Sequence, residues 1–277
     1  LSATCWGIFK VRRPDVVHVY QGPATLALPA MALKWLRGVP YILDVQDLWP
    51  ESVTDSEMFH CLFGKSLLNM WCRLTYRLAT RIVVLSPGYK FAISNRGTPG
   101  SKIEVVYNWC DETQLRVSAL HSEIHPLLLD KECFNVVYAG NMGKLQALDA
   151  VIRAAAILKD DVPRVQFVLV GDGLELISLK DMVSSLKLIN VRFVPRQAAE
   201  QMGAIFQQAD LLLVHLGDTP LGRIGIPQKT QAYLAAGKPI LMAMKGDGAE
   251  LVLNARAGLC CEPEQPESIA AAIRTVV

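Results

Sequence analysis

The stretch NVVYAGNMGKLQALDAVIRAAAILKDDVPRVQFVLVGDG, residues 135–173, decides the fold that the sequence predicts. It contains two short apolar runs, at 135–139 and 165–170, and an amphipathic run at 148–159 between them. Near-continuous apolar character is typical of strands that are covered on both faces, as in a parallel sheet. Each apolar run leads into a glycine turn and then a helical pattern, so the stretch predicts a repeated strand–turn–helix unit.

The same alternation continues in both directions along the chain. Further strands are predicted at 16–20, 41–45, 81–86, 103–108, 191–194, 211–216 and 240–244, and further helices at 25–36, 67–79, 174–186, 199–208 and 228–236. Alternating strands and helices predict an α/β fold of doubly wound parallel sheets, here two Rossmann-like lobes. The rhythm breaks in a polar, irregular segment between 111 and 132. The predicted organisation is therefore a first lobe at 1–115, a linker at 116–132 and a second lobe at 133–277.

Composition narrows the class of protein. Of the 277 residues, 51% are hydrophobic and 19% charged, which excludes a disordered chain. The net charge of +2 gives no reason to expect a nucleic-acid partner. No apolar run approaches the roughly 20 residues that span a bilayer. The cysteines favour reduced core thiols, and a cytoplasmic location is expected on that ground. The seven cysteines form no CxxC pair and the five histidines show no ligand spacing, so no metal is expected.

The ends of the sequence suggest a fragment. The chain opens with Leu1 rather than methionine and stops at Val277 inside a helix-like pattern. We therefore expect material to be missing at both ends, including the opening strand and first glycine turn of the first lobe.

Ligands of doubly wound sheets bind at the carboxyl ends of the strands. Gly140 and Gly143 follow one such strand, and a Gly-Asp-Gly turn at 171–173 follows the next. Backbone N–H groups in glycine turns and at helix N-termini can bind phosphate. Because such turns are common in α/β proteins, each of them alone is weak evidence. His215, in an apolar strand, is interpreted as a core histidine rather than a catalyst.

The segment RIGIPQK, residues 223–229, carries a stronger signal. Pro227 suits the first position of a helix, which places Lys229 in the first turn. A cation there is unfavourable against the helix dipole by about 0.3–1 kcal/mol, and an anion between the lysine and the helix would compensate. The alternative is a solvated lysine that tolerates the position.

In the first half, VQDLWPES at 45–52 directly follows a predicted strand. Asp47 and Glu51 flank a Trp-Pro pair, and an acid at such a place can accept a proton or a hydrogen bond from a sugar hydroxyl. The alternative, that one of them caps the following helix, is equally compatible with the spacing.

Residues 65–81 (KSLLNMWCRLTYRLATR) place basic side chains at helical spacing among apolar ones. This pattern predicts a basic amphipathic helix, which can lie on an anionic membrane surface. The alternative is an ordinary surface helix that packs its apolar side against the sheet.

Taken together, these segments resemble the GT-B glycosyltransferases of family 4, also called group 1 transferases. The subgroup most similar to them builds bacterial O-antigen and capsule and includes L-fucosamine transferases. The motifs that carry the resemblance are VQDLWPES (45–52), VVLSPGYK (83–90), KIEVVYNW (102–109), VYAGNMGKLQALD (137–149), FVLVGDG (167–173) and LGRIGIPQKTQAYLAAGKPIL (221–241).

The resemblance implies an enzyme that transfers a sugar, with retention of configuration, from a nucleotide diphosphate, most often UDP, to a lipid-linked or saccharide acceptor. It implies two facing lobes and no cofactor apart from the nucleotide sugar. By this resemblance Lys229 would compensate the charge of the diphosphate, Asp47 would orient or deprotonate the acceptor, and Glu51 would hold sugar hydroxyls. The donor site would further include Gly140, Asn141, Gly143, Gln146, Arg223, Pro227 and Gln228. Contact between 65–81 and the inner face of the membrane would bring the enzyme to a lipid-linked acceptor.

Two departures leave other functions open. Ile224 and Ala232 occupy the positions where many members of the family carry a pair of glutamates eight residues apart. The alternatives are a non-hydrolysing UDP-sugar 2-epimerase on the same fold and a non-catalytic subunit that binds a sugar nucleotide.

Overall fold

The computed structural model describes residues 2–54, 62–113, 115, 130 and 132–277. The chain divides into two compact units, Leu1–Tyr107 and Asn108–Val277. Most of the predicted linker at 116–132 lies outside the described residues, so the predicted domain limits stay a prediction.

The first unit is built on a parallel sheet of four strands in the order β1-β2-β3-β4. These are β1 (Val17–Gln21), β2 (Tyr41–Val45), β3 (Arg81–Val84) and β4 (Ile103–Val105). The helices of this unit are α1 (Ser2–Phe9), α2 (Leu28–Arg37), α3 (Glu51–Thr54), α4 (Leu62–Leu78) and α5 (Pro87–Asn95), with a short 3-10 turn at Ala24–Ala27.

The second unit is built on a parallel sheet of six strands in the order β10-β9-β8-β5-β6-β7. Its strands are β5 (Phe134–Asn141), β6 (Val165–Asp172), β7 (Val191–Val194), β8 (Leu211–His215), β9 (Ile240–Ala243) and β10 (Gly258–Cys261). Its helices are α6 (Leu148–Asp161), α7 (Leu176–Ser185), α8 (Ala199–Gln208), α9 (Pro220–Ile224), α10 (Lys229–Ala236), α11 (Asp247–Asn254) and α12 (Pro266–Arg274).

The predicted α/β fold with two parallel-sheet, Rossmann-like units is confirmed. Two predicted strands end two or three residues earlier than expected, β3 at Val84 and β4 at Val105, and β8 and β9 each end one residue early. For β3 the reason is local: Ser86 is the N-cap of α5, where its hydroxyl accepts a hydrogen bond from the Tyr89 amide at 3.1 Å. Pro87 then occupies the first helical turn, which ends the strand.

The core of the second unit explains why its strands are apolar throughout. Tyr138, Phe167, Leu213 and Leu241 on four neighbouring strands are buried together against α6 and α12. Val137, Val168, Leu212 and Met242 face the opposite layer. A sheet with two such layers cannot alternate apolar and polar residues.

The order of the six strands places a functional site. From β5 the chain proceeds outward through β6 to β7, then returns to the other side of β5 and proceeds through β8 and β9 to β10. The reversal between β5 and β8 is the topological switch point of a Rossmann-type sheet, where ligands bind outside the carboxyl ends of the strands.

Candidate functional site

The carboxyl ends of β5 and β6 approach each other closely because both carry glycine. Gly140 and Gly171 are paired in register, with φ angles of +146° and +143°. A Cβ on Gly171 would overlap the carbonyl oxygen of Gly140. The same is true of Gly173, whose Cβ would overlap the Met142 carbonyl. Both glycines of the predicted Gly-Asp-Gly turn are therefore required by backbone packing.

Lys229 lies over this glycine edge. It is the first residue of α10, and its Nζ would be only 2.7 Å from a Cβ built on Gly140. Burial lowers the pKa of the Lys229 amine from its usual value to about 7. Because its side chain points to the end of β5, a bound anion at the Gly140 turn would meet this amine.

The position of Pro227 differs from the prediction. The helix begins at Lys229 with Gln228 as its exposed N-cap residue, so Pro227 precedes the helix instead of occupying its first position. Its carbonyl accepts a hydrogen bond from the Thr230 amide at 2.9 Å, which closes the turn before α10. The prediction that Lys229 lies in the first turn of this helix is confirmed.

Three other residues predicted for the sugar-nucleotide site, Asn141, Gly143 and Gln146, are joined by hydrogen bonds at and just after the end of β5. The Gln146 side-chain oxygen accepts hydrogen bonds from the Gly143 amide at 3.0 Å and from the Asn141 side chain at 3.1 Å. Asn141 and Gly143 are thus brought together with Gln146, as the resemblance implied. The Gly143 amide is already bonded to Gln146, so an anion would have to displace this side chain to use it.

His215, at the end of β8, holds this network in place. Its Nδ1 lies 2.7 Å from the Gln146 carbonyl oxygen, and its Nε2 accepts a hydrogen bond from the Glu264 amide at 3.1 Å. This pair of contacts requires a neutral imidazole protonated at Nδ1. Burial, the largest influence, lowers the pKa of His215 and favours the same neutral form. The interpretation of His215 as a core histidine agrees with this geometry.

The guanidinium of Arg223 is bound by a carboxylate of the protein itself. Its guanidinium makes two hydrogen bonds to the Asp218 carboxylate, Nε to Oδ1 at 2.6 Å and Nη2 to Oδ2 at 3.0 Å. Lys245 lies 3.3 Å from the same carboxylate and 2.7 Å from Glu262. The predicted role of Arg223 in the donor site therefore competes with an ion-pair network on the loops after β8, β9 and β10.

A cavity of about 790 Å³ opens at the carboxyl ends of β5 and β6. Gly140, Asn141 and the 171–173 turn form one wall. The rest is lined by residues that the sequence prediction missed, which are Leu174, Arg196, Gln197, Met202 and Phe206. Arg196 and Gln197 come just after β7, so the strand-end rule that selected Gly140 could also have found them. Apolar walls with few polar groups are typical of sites for organic ligands.

In the first unit, Asp47 lies at the carboxyl end of β2. Its amide donates to the Gln21 carbonyl at 3.4 Å, and a Cβ on Gly22 would lie 3.9 Å from Asp47 Oδ2. Partial desolvation raises the pKa of the Asp47 carboxyl, although more than a third of the residue is exposed. Buried Tyr89 is a neighbour: burial chiefly, and next the Asp47 charge, raise its pKa to about 12.

Glu51 is held by a residue that the sequence did not suggest. It forms an ion pair with Arg96, whose Nη1 also donates to the Trp49 carbonyl at 2.6 Å. Glu51 is the first residue of α3, and the bond between Trp49 and Pro50 is cis. The structure thus assigns Glu51 a contact that fixes its loop, and nothing in the sequence signalled Arg96 as the partner.

A second unexpected group is the carboxamide of Gln21 at the end of β1. The residue is buried, and its side-chain oxygen has no hydrogen-bond donor within the described ranges. Gln46, the neighbour of Asp47, has an oxygen in the same situation, while its nitrogen donates to Asp44 at 2.7 Å. The ends of β1 and β2 therefore hold buried carboxamide oxygens, in contrast to the amine at the end of β5.

The basic helix is α4, and it ends at Leu78, so Arg81 was wrongly included: it opens β3 and donates to the Ser101 carbonyl at 2.6 Å. The side chain of Lys65 lies outside the described part. Trp71 turns inward and donates to the Ala24 carbonyl at 2.9 Å. The outward face carries Leu67, Met70, Arg73, Leu74 and Arg77.

The described residues lack two kinds of feature, a membrane-spanning helix and a metal-ion cluster. No helix among them is long and apolar enough to cross a membrane. Within the same residues, no group of three or more His, Cys, Asp or Glu side chains could hold a metal ion.

The protein therefore consists of two Rossmann-like units, and the second has a lysine beside glycine strand ends at its topological switch point. A family profile described as "Glycosyl transferases group 1" matches residues 122–277, more than half of the chain, and one described as "Glycosyl transferase 4-like domain" matches residues 2–109. The chain belongs to the group 1 glycosyl transferases.

Individual relatives are distant. The chain is similar to "Probable glycosyltransferase WbjE" of Pseudomonas aeruginosa, at 26% identity over 94% of this chain and 66% of that protein. It is also similar to "Putative colanic acid biosynthesis glycosyl transferase WcaI" of Escherichia coli K12, at 30% identity over 50% of this chain and 34% of that protein. The chain thus spans less than two thirds of the length of these relatives.

A similar solved structure is that of HepE from Anabaena in complex with UDP. It superposes with a TM-score of 0.76 at 18% identity and covers 99% of this chain and 70% of HepE. At this identity the likeness establishes the fold, which is that of GT-B glycosyltransferases.

Proposed function

We propose that this protein is a retaining glycosyltransferase that moves a sugar from a UDP-linked donor to a lipid-linked or saccharide acceptor in bacterial surface-polysaccharide synthesis. The observation that carries the proposal is the placement of the Lys229 amine beside Gly140 at the switch point of the second sheet. Family membership and the names of WbjE and WcaI support the reaction class, and the name of WcaI, which includes colanic acid biosynthesis, supports the pathway. Subgroup membership among O-antigen and capsule L-fucosamine transferases is part of this proposal.

In the proposed reaction the second unit binds the donor. The diphosphate would lie on the turn at Gly140, Asn141 and Gly143, and Lys229 would stabilise the negative charge that grows on it as the sugar leaves. Gln146, Pro227 and Gln228 would shape this turn and the start of α10, and Arg223 would contribute only after leaving Asp218. The 790 Å³ cavity beside the turn has room for the nucleoside. Its apolar residues Met202 and Phe206 suit contact with a base.

The first unit would bind the acceptor. Transfer breaks the bond between the anomeric carbon and the diphosphate oxygen and forms a bond to an acceptor hydroxyl oxygen. Asp47 would orient that hydroxyl or take its proton, for which a carboxyl with a raised pKa is suited. Glu51, held by its ion pair with Arg96, would contact sugar hydroxyls.

A panel of UDP-, GDP- and dTDP-sugars tests the donor class through thermal unfolding. A ligand that binds only the folded state stabilises it by mass action and so raises the melting temperature. At a ligand concentration of one hundred times Kd, the free energy of unfolding rises by about 2.7 kcal/mol. We expect UDP-sugars to raise it most. Stabilisation by none of the panel would contradict the donor site, and stabilisation by GDP- or dTDP-sugars alone would correct the base.

A cytoplasmic location at the inner face of the membrane is the remaining part of the proposal, with α4 as the contact. Leu67, Met70 and Leu74 are 53%, 62% and 44% exposed beside Arg73 and Arg77, an arrangement that favours an anionic interface. We expect sedimentation with anionic vesicles that is lost on replacing both arginines by glutamine. Arg153→Gln with Arg164→Gln in the second unit is the matched control. Equal loss in both double variants would mean that general charge, not α4, is responsible.

A further inference from the structure

Tyr138 lies directly beneath the amine of Lys229. It is fully buried on β5, and the centroid of its ring is 3.6 Å from Lys229 Nζ. Its phenol donates a hydrogen bond to the Asn141 carbonyl at 2.5 Å, which fixes the ring relative to the turn. The aromatic face is therefore held in one place under the amine.

Gly140 supplies the room beside this ring. A Cβ at this position would lie 2.7 Å from Lys229 Nζ and 3.1 Å from Cε. Such distances are shorter than a van der Waals contact, so any larger residue would displace the lysine. The amine thus has a ring below it and a bare backbone beside it.

No salt bridge joins Lys229 to any residue that the structure describes. The neighbouring elements do offer titratable groups near it: Tyr138 on β5, His215 on β8 and Tyr233 on α10 itself. Burial raises the pKa of both tyrosines far above neutrality, and it lowers that of His215. All three are therefore uncharged near pH 7, and the ring of Tyr138 is the group that favours the ammonium form.

We propose that Tyr138 is a positioning residue of the donor site, whose ring face holds the Lys229 ammonium beside Gly140 before any anion arrives. An aromatic face attracts a cation through the ring quadrupole, most strongly when the cation is desolvated. The inference rests on the proposed anion site at Lys229. It adds a residue to that site and a consequence for how the site responds to pH.

The consequence is that donor binding takes up a proton. Since burial lowers the pKa of Lys229 to about 7, much of the amine is neutral in the ligand-free protein at slightly alkaline pH. A diphosphate placed at the Gly140 turn favours the ammonium and raises that pKa. Affinity should therefore be independent of this group below pH 6 and should fall as pH rises above 7, by up to tenfold per pH unit.

An NMR titration of the Lys229 Cε resonance, in lysine-labelled protein without ligand, tests the role of the ring. In the wild type we expect a transition at the low pKa of Lys229 and upfield-shifted Hε protons from the ring current of Tyr138. Tyr138→Phe keeps the face, which the surrounding core also holds, and should change both much less than removal of the ring. Tyr138→Met keeps the volume without the face, and the transition should move about one pH unit lower.

Three results would overturn the inference. One is an unchanged transition in folded Tyr138→Met, and a second is the absence of upfield-shifted Hε protons in the wild type. The second needs no variant, so the inference remains testable if Tyr138→Met does not fold. Equal effects of Tyr138→Phe and Tyr138→Met would overturn it as well, because they would assign the role to the hydroxyl.

Calorimetry with UDP separates this inference from the proposed function. At pH 8, in two buffers of different ionisation enthalpy, we expect uptake of close to one proton per UDP, and none in Lys229→Met. If UDP binds without proton uptake, the pH consequence is wrong although the donor site stands. If no nucleotide binds and the NMR results hold, the donor site fails while the placement of Tyr138 stands.

Discussion

The two units are both parallel α/β structures, yet their sheets differ in a way that bears on function. The four described strands of the first sheet follow one another in chain order. The second sheet starts in its interior at β5 and reverses direction between β5 and β8. Such a reversal leaves a crevice at the carboxyl ends of the two central strands, because the following connections lead to opposite sides. The cavity of the second unit lies beside this point, at the carboxyl ends of β5 and β6.

The strand ends also differ in their chemistry. In the first unit they carry the exposed carboxylate of Asp47, while the carboxamide oxygens of Gln21 and Gln46 are buried. In the second they present glycine backbone and the buried amine of Lys229. Acceptor oxygens suit a partner with hydroxyl groups, and an amine suits a diphosphate. The contrast matches the two substrates of a glycosyl transfer, and each of the following predictions tests one side of it.

The largest effect is expected for Asp47→Asn. If Asp47 is the proton acceptor, its loss should lower transfer by about 100-fold, while UDP affinity should stay within about twofold because the proposed donor site lies on the other unit. Release of UDP with lipid-linked and saccharide acceptors measures the first, and calorimetry the second. Since desolvation raises the pKa of Asp47, wild-type activity should decline on the acid side at a higher pH than for an ordinary carboxyl.

Asp15→Asn, an exposed acid at the other end of β1, is the control and should change neither quantity. An equal loss of UDP binding and transfer in Asp47→Asn would make Asp47 a structural residue and remove the division of labour.

Next in size is Lys229→Ala, which should weaken UDP binding at least about tenfold because a charge-assisted bond to the diphosphate is lost. Calorimetry at pH 7 measures the effect. Lys180→Ala, on the exposed face of α7, should leave UDP binding unchanged. Unaltered affinity in Lys229→Ala would remove this lysine from the site.

The Arg96–Glu51 ion pair gives a smaller effect, on stability. Arg96→Met leaves the partly buried Glu51 carboxylate without this cation and should cost about 1–3 kcal/mol in denaturant unfolding. Glu51→Gln/Arg96→Met should recover part of that loss. If Glu51→Gln instead lowers transfer and leaves the unfolding midpoint unchanged, Glu51 acts mainly on the acceptor, as the resemblance implied.

The smallest effect is expected for Arg223→Gln. Because Asp218 binds the guanidinium in two hydrogen bonds, UDP affinity should change less than about threefold. A tenfold loss would show that the guanidinium leaves Asp218 when the donor binds, and would sharpen the contrast between the units by giving the second a further cation.

The periodicity of the sequence was sufficient to predict the fold, because burial imposes its own local pattern of apolar residues on each strand and helix. The strand at 41–45 and the helix at 199–208 were predicted with the limits that the structure gives them. Where prediction and structure disagree, capping decided: Ser86 and Pro87 end β3 early, and the turn closed by the Pro227 carbonyl delays α10 to Lys229. The helical periodicity of a helix such as α4 is visible in its sequence, whereas the residue at which it ends depends on the structure of the segment that follows.

For the candidate site of the second unit, the sequence by itself determined which residues to consider, because glycines after apolar strands and a lysine at the start of a helix are visible without coordinates. Only the tertiary structure decided their partners. Arg96 is 45 residues from Glu51, and Tyr138 is far along the chain from Lys229. Parallel strands bring their carboxyl ends together irrespective of sequence distance. Contacts of this kind depend on strand order and register, which no local pattern records.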